Sequence, residues 1–176
     1  MRILIAYASK TGTAAECAEM LARELHGADV TLADLSVERP DPSDFDAAIV
    51  GGSIRYGKLH AALCAYLSER EAALAAVPHG LFLCCANGHE FEDLRDRLLP
   101  RSLCDSAFAV LSFGGRLRLA HASLWERFLL HAMRSRIVEN EMEVGEYTPA
   151  MPDILPENIS RMAAAARAAY GKTRNG

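Results

Sequence analysis

The strongest constraint in this chain is the repeated pairing of a short apolar run with a segment of helical period. Arg2–Ala8, Ala28–Asp34, Ala47–Gly52, Gly80–Ala86 and Ala107–Phe113 are short, mostly apolar runs, bounded by turn or charged residues. Runs of this kind fit strands, and the continuously apolar ones fit strands buried on both faces. Between them lie helical segments. Thr13–His26 carries Cys17, Leu21 and Leu25 at steps of four and closes at Gly27. Leu59–Ala76 places Leu63, Leu67 and Leu74 on one side and stops before Pro78, and Glu90–Leu99 stops at Pro100. Gly and Pro at these points are helix-ending signals. Glu38–Asp46, with two prolines and four acids, reads as a loop. A helix is expected over Leu119–Val138, then an acidic irregular stretch, then a last helix over Pro156–Tyr170 with Ile159, Met162, Ala163 and Ala166 on its inner face.

This alternation predicts an α/β fold, a parallel sheet covered by helices on both faces. The 176 residues suit one domain, 1–170, followed by a frayed tail at 171–176. Apolar residues at 51% argue against disorder, and no apolar run approaches the ~20 residues of a membrane-spanning helix. The start of the chain passes from one Arg directly into an apolar run, unlike a secretory signal, so the expected compartment is the cytoplasm. The net charge of −4 supplies no global basic field for nucleic acid. It hides an asymmetry, because residues 116–138 hold five Arg and one Glu and the remainder carries −8. The five cysteines (17, 64, 84, 85 and 104) form no C-x-x-C or Cys/His spacing, which predicts reduced, mostly buried thiols and no metal site.

In such sheets ligands bind beyond the carboxyl ends of the strands, where strand order reverses. The loop there after the first strand is Ala8-Ser9-Lys10-Thr11-Gly12-Thr13-Ala14. It offers three hydroxyls, one cation and one Gly at the start of a helix whose unpaired N–H groups carry partial positive charge. A phosphate dianion fits, with Ser9 and Thr11 donating and Gly12 allowing close approach. The G-x-G-x-x-G and G-x-x-x-x-G-K-[ST] patterns are absent, and Tyr7-Ala8 and Gly51-Gly52 stand where a phospho-acceptor receiver domain would have acids. The same residues also fit an ordinary helix start capped by Ser or Thr.

After the third strand comes Gly51-Gly52-Ser53-Ile54-Arg55-Tyr56-Gly57-Lys58-Leu59-His60. The glycines let backbone approach a flat ligand, Tyr56 offers a ring face and Arg55 a cation. Ala86-Asn87-Gly88, after the fourth strand, is a tight turn able to cover the other side of such a ligand. A lone Tyr in a Gly-rich loop is also an ordinary surface aromatic, and His60 reads as structural.

With these loops on one sheet edge, the chain resembles the flavodoxin-like family, whose first-loop pattern is [ST]-x-T-G-x-T and whose cofactor is FMN. In flavodoxins FMN lies at this switch point, and the resemblance carries that placement over. Val50–His60 is similar to the loop of menaquinone-dependent protoporphyrinogen dehydrogenases that reads close to IGxSIRYGxxH. Gly114-Gly115-Arg116-Leu117-Arg118, leading into Leu124-Trp125-Glu126-Arg127-Phe128, resembles their basic, aromatic insertion. The resemblance implies a flavodoxin-like three-layer α/β/α sandwich with a five-stranded parallel sheet in order 2-1-3-4-5. A basic helical insertion, about 116–147, would follow the fifth strand. It also implies a cofactor site made of Ser9, Lys10, Thr11, Gly12, Thr13 and Ala14, of Ser53, Ile54, Arg55, Tyr56 and Gly57, and of Ala86, Asn87 and Gly88. Arg55 becomes a candidate for holding a substrate carboxylate or the reduced flavin. Ala14 departs from the pattern. One hydroxyl to a charged group contributes about 1.5–3 kcal/mol, so FMN binding drops about tenfold unless Thr13 compensates.

Three functions follow as expectations. The first is an FMN oxidoreductase acting on a reduced substrate such as protoporphyrinogen IX and delivering electrons to a quinone. The second is a plain electron carrier between redox proteins. The third, kept open by Ala14, is a binding or regulatory module without FMN. Arg55, Lys58 and the basic segment favour the first, because a carrier is expected to ring its flavin with acids. In the helix 119–138, Leu124, Phe128 and Ala132 form a stripe and Arg127, Arg134 and Arg136 fall away from it. That helix suits packing on the domain, self-association, or peripheral contact with the inner face of a membrane through Trp125 and the arginines.

Overall fold

β1 (Arg2–Ala8) divides its side chains between two cores, as a strand with a period of two must. Ile3 and Ile5 join one, and Leu4, Ala6 and Ala8 join the other. In the computed structural model, which describes residues 1–85, 91–115 and 153–174, this strand lies inside a parallel sheet. The chain continues through α1 (Thr13–Glu24), β2 (Asp29–Asp34), a 3-10 turn (Pro42–Asp44), β3 (Ala47–Arg55) and β4 (Lys58–Leu59). Then follow α2 (Ala61–Glu69), α3 (Glu71–Ala76), β5 (His79–Cys84), α4 (Phe91–Leu98), α5 (Arg101–Ser106), β6 (Ala109–Gly114) and a last helix, α6 (Pro156–Arg174).

The parallel strands run in the order β2-β1-β3-β5-β6, the predicted five-strand order, with β4 added as a two-residue antiparallel partner of β3. The chain turns to β2 on one side of β1 and to β3 on the other. The switch point therefore falls where Tyr7 pairs with Gly51 and Ala8 with Gly52. On one face α1 and α6 cover the sheet, burying Cys17, Leu21, Ile159, Met162, Ala163 and Ala166, the inner positions read from the sequence. On the other face Leu63, Leu67 and Leu74 of α2 and α3 pack with Tyr66 and with Leu103 of α5. Each such Leu contributes about 1.5–3 kcal/mol relative to an exposed one.

Several boundaries differ from expectation. The helix predicted over Leu59–Ala76 is two helices, broken at Arg70 (φ −114°, ψ 14°). The Arg70 guanidinium reaches Asp41 at 2.8 Å, and one turn earlier the Tyr66 hydroxyl donates to the Pro40 carbonyl at 2.8 Å. Both helices still bury the same face, which is why one apolar stripe runs through the break. Pro100, a stop signal, ends α4 but also stands at the N-cap of the unpredicted α5. α5 uses the residues just before the predicted fifth strand, so β6 starts at Ala109 rather than Ala107. β3 continues three residues past Gly52, β5 spans His79–Cys84 rather than Gly80–Ala86, and α6 continues to Arg174 where a frayed end is expected.

Cys17, Cys84 and Cys85 are buried as expected, whereas Cys64 is exposed. Among the described residues there is no metal-binding cluster, and no helix is long and apolar enough to cross a membrane. The insertion expected at 116–147, with the helix expected over 119–138, lies outside the described residues. Its flanks do not: the Gly115 N–H donates to the Asp153 carbonyl at 3.0 Å, and Gly114 bridges Ile154. Gly115 and Asp153 therefore meet at the carboxyl end of β6. Gly114 (φ 73°) is required there, because a Cβ would stand 2.1 Å from the Asp153 carbonyl oxygen.

Candidate functional site

Two loops meet at the switch point. The first runs from Ala8 to the start of α1. Gly12 occupies the N-cap in the left-handed region (φ 88°), which a non-glycine residue adopts only at a cost. No side chain caps α1. The Ser9 Oγ instead accepts from the Gly12 N–H at 3.1 Å, curling the loop so that the first-turn N–H groups of the helix are left without a side-chain partner. Lys10 is exposed, and Thr11 is half-buried. Thr13 is only 3% exposed, and its Oγ1 is buried without a hydrogen-bond partner. Ala14 is fully buried in the core beneath α1, so this predicted site residue brings backbone rather than side chain to the loop.

A buried hydroxyl without a partner costs about 1–3 kcal/mol. An uncapped helix start with such a hydroxyl in its first residue is matched by an anion that accepts several hydrogen bonds. The residues present therefore fit a phosphate ester.

The second loop is built on a glycine floor. A Cβ at Gly51 would meet the Phe82 carbonyl oxygen at 2.1 Å and the Phe82 ring at 2.5 Å, and one at Gly52 would meet the Ala8 carbonyl oxygen at 2.7 Å. The Ser53 hydroxyl reaches the Ala8 carbonyl at 3.5 Å, a long contact that links the two loops. Ile54 packs on the α2/α3 core and pairs with Leu59. Between them Arg55 pairs with Lys58 around a two-residue tip, Tyr56 (φ 50°) and Gly57 (φ 70°). Two positive φ angles mark a type I′ hairpin turn, normally Asn-Gly or Gly-Gly. Tyr56 pays about 1–2 kcal/mol of backbone strain there. The residue is 50% exposed, with the Arg55 guanidinium carbon 5.4 Å from the ring centroid. His60, as expected, is structural: its Nδ1 accepts from the Ala62 N–H at 3.3 Å and caps α2. Ala86, Asn87 and Gly88 lie outside the described residues.

One residue near this loop, Arg97, escaped the sequence reading, and Lys58, read there only as a cation of the loop, takes a defined place. Arg97 of α4 brings its Nη2 to 3.5 Å from the place a Gly57 Cβ would take. Lys58 is the cross-strand partner of Arg55. No sequence signal marks Arg97, since it sits among the charges of an amphipathic helix.

Burial, with help from Asp34, Glu19 and Glu38, raises the Tyr7 hydroxyl above its ordinary range. A hydrogen bond with Cys17, then burial, holds the Cys84 thiol well above the usual thiol range, so it is not a nucleophile at neutral pH. A separate groove of about 480 Å³ lies between α4, α5 and β6. Its two arginines already face Asp96 at 2.7 Å and Asp105 at 3.8 Å.

Comparison with known proteins agrees with this arrangement. Protoporphyrinogen IX dehydrogenase [quinone] of Escherichia coli (strain K12) is 29% identical over 85 residues, 47% of this chain and 47% of that protein. The match thus spans about half the length of that relative. The flavodoxin of Streptococcus pneumonia TIGR4 has a similar structure, with a TM-score of 0.52 at 17% identity over 96% of this chain and 99% of that one. The apo form of an NADH:FMN oxidoreductase gives a TM-score of 0.52 at 14% identity, covering 84% and 92%. These likenesses show the fold. The family model described as Flavodoxin domain matches residues 4–142, and with the parallel sheet and switch-point loops described above, the chain belongs to the flavodoxin-domain family.

Proposed function

We propose that this flavodoxin-domain protein binds FMN and acts as an oxidoreductase, taking electrons from a reduced small-molecule substrate and passing them to a quinone. The observation that carries this reading is the uncapped start of α1 with the unpartnered Thr13 hydroxyl buried in it. Ser9, Thr11 and Thr13, with the backbone of Lys10, Gly12 and Ala14, would hold the phosphate. Ser53–Gly57 on one side and Ala86–Gly88 on the other would hold the ring. When bound, FMN supplies the capacity to accept a hydride and release electrons. The chain's own residues anchor, orient and shield it, and Arg55 neutralises negative charge beside the ring edge. Thr13 offers the hydroxyl that Ala14 lacks.

The substrate this reading favours is a porphyrinogen, protoporphyrinogen IX. Its support is the Ser53–Gly57 motif together with the cations on the hairpin. The basic, amphipathic stretch at 116–138 is the element that would meet a membrane-borne quinone.

The test has two stages. Purified protein mixed with excess riboflavin 5′-phosphate should show protein-bound visible flavin bands. Protein that stays colourless after gel filtration removes the cofactor and the reading with it. Loaded protein should then be bleached anaerobically by protoporphyrinogen and recoloured by a menaquinone analogue. Flavin that binds but is not bleached marks an electron carrier instead.

A further inference from the structure

His79 opens β5, a polar ring in an otherwise apolar strand, and is only 1% exposed. It stands at the amino edge of the sheet, paired with Ala48 near the start of β3, while the switch point lies at the other end. Its Nδ1 lies 3.0 Å from the Val77 carbonyl oxygen and its Nε2 3.0 Å from the Leu103 carbonyl oxygen. Both of these partners are acceptors only. A neutral imidazole carries one N–H and one lone pair, so one of the two contacts would set a lone pair against a carbonyl oxygen, whereas an imidazolium donates at both. The two carbonyls also belong to helix carboxyl ends: Val77 is the C-cap of α3, and Leu103 lies in the last turn of α5. Such ends carry partial negative charge and favour a cation. The charged groups of the neighbouring elements are engaged elsewhere. Glu71 of α3 accepts from the Ser102 hydroxyl, Arg101 and Asp105 of α5 face each other at 3.8 Å, and Asp46 ahead of β3 accepts from the Arg2 N–H at 2.7 Å.

We infer that His79 is a buried imidazolium that latches α5 to the start of β5, and that loss of one ring proton to solvent loosens α5 and opens the groove between α4, α5 and β6. α5 has little else to hold it. It has six residues and no side-chain cap, it buries Leu103, and its side-chain link to α3, from Ser102 to Glu71, is exposed. A hydrogen bond from an ionised donor is the stronger kind, and a buried acceptor left without one is costly. Arg101, Cys104 and Asp105 of α5 line the groove of about 480 Å³, so movement of α5 widens it. Docking of α5 takes up the proton, so the latched form is favoured as pH falls and lost as pH rises. This device goes beyond the redox reading and does not depend on it.

Cys104, half-buried in α5 beside Leu103, reports the latch, and the exposed Cys64 of α2 is its reference. The measurement is the rate of iodoacetamide alkylation at Cys104 relative to Cys64, read by peptide mass spectrometry on the full chain. In the unaltered protein the ratio should rise about tenfold between about pH 5.5 and pH 8, a span that brackets an ordinary imidazole, the factor being that for losing one hydrogen bond to a charged group. In His79→Gln, whose amide cannot gain a proton, the ratio should be high from the start and change less than about twofold across the same span. A ratio that stays flat in the unaltered protein, or that rises equally in His79→Gln, would overturn the latch. Nitrogen-15 spectra of the unaltered protein test the ring directly and need no variant to fold. Two protonated ring nitrogens at about pH 6 are expected for His79. One bare nitrogen in the folded protein at that pH would sink the proposal.

Discussion

The two loops at the switch point are opposites in construction. The Ser9–Thr13 turn is folded into the protein: Ser9 holds Gly12, Gly12 supplies the only left-handed residue, and Thr13 is buried at the head of α1. The Arg55–Lys58 hairpin projects from the sheet with a strained, half-exposed aromatic at its tip and like charges at its base. On the proposed function, the difference separates two tasks. Gripping a small, constant anion calls for fixed backbone donors and little exposed surface. Reading a larger ligand that arrives from solvent calls for side chains that reach outward, and some stability is given up for that reach.

The sharpest way to break the comparison is to remove what the loops share. Gly51→Val places a side chain into the Phe82 backbone and ring, which is itself stacked on Phe113 at 4.5 Å. The expected loss is about 3 kcal/mol of stability in denaturant unfolding, the upper end for an overpacked core. Unchanged stability would show that the floor is not a shared constraint. Next in size is Thr13→Val, whose effects should have opposite signs in the two states. Replacing a buried, unpartnered hydroxyl by a methyl should stabilise the flavin-free protein by about 1 kcal/mol. Flavin affinity, followed by fluorescence quenching, should fall about tenfold. A variant that keeps full flavin affinity would remove Thr13 from the phosphate site.

Tyr56→Asn tests the hairpin side. Relief of the left-handed strain should stabilise the protein by about 1 kcal/mol, a rise in Tm of about 3 °C for a chain of this size. A fall instead would mean that contacts of the ring outweigh the strain. The smallest effect belongs to a control distant in sequence from both loops. The Ser43 N–H, then the Ser43 hydroxyl, with Arg70 adding, hold the Asp41 carboxyl below the usual carboxylate range. A depressed folded pKa contributes stability above the unfolded value of about 4, and that contribution is lost as pH falls through the folded pKa. Asp41→Asn should therefore be slightly less stable than the parent at neutral pH. The gap should close below about pH 4 in thermal unfolding, with flavin affinity at neutral pH unaffected. A gap that persists at low pH would assign the difference to something other than this carboxylate.

Much of the fold was legible before any coordinates. Continuous apolar runs marked the buried strands, steps of four marked Cys17 and Leu21 or Leu63 and Leu67 as inner faces, and one Gly among hydroxyls marked the turn that opens α1. The hairpin was not legible, because its turn carries Tyr where the usual signal is Asn or Gly. α5 was hidden by Pro100, a residue that ends one helix and can begin another.

Sequence alone determined the alternation of strands and helices, the faces they bury and the composition of the first loop, since each depends on neighbours within a few residues. Tertiary structure decided the break at Arg70, the arrival of Arg97 at Gly57 and the isolation of the Thr13 hydroxyl. The first two join residues 29 and 40 positions apart, and the third depends on what packs around the start of α1. No local period can encode contacts of that range, and only the packed sheet and its helices bring those groups together.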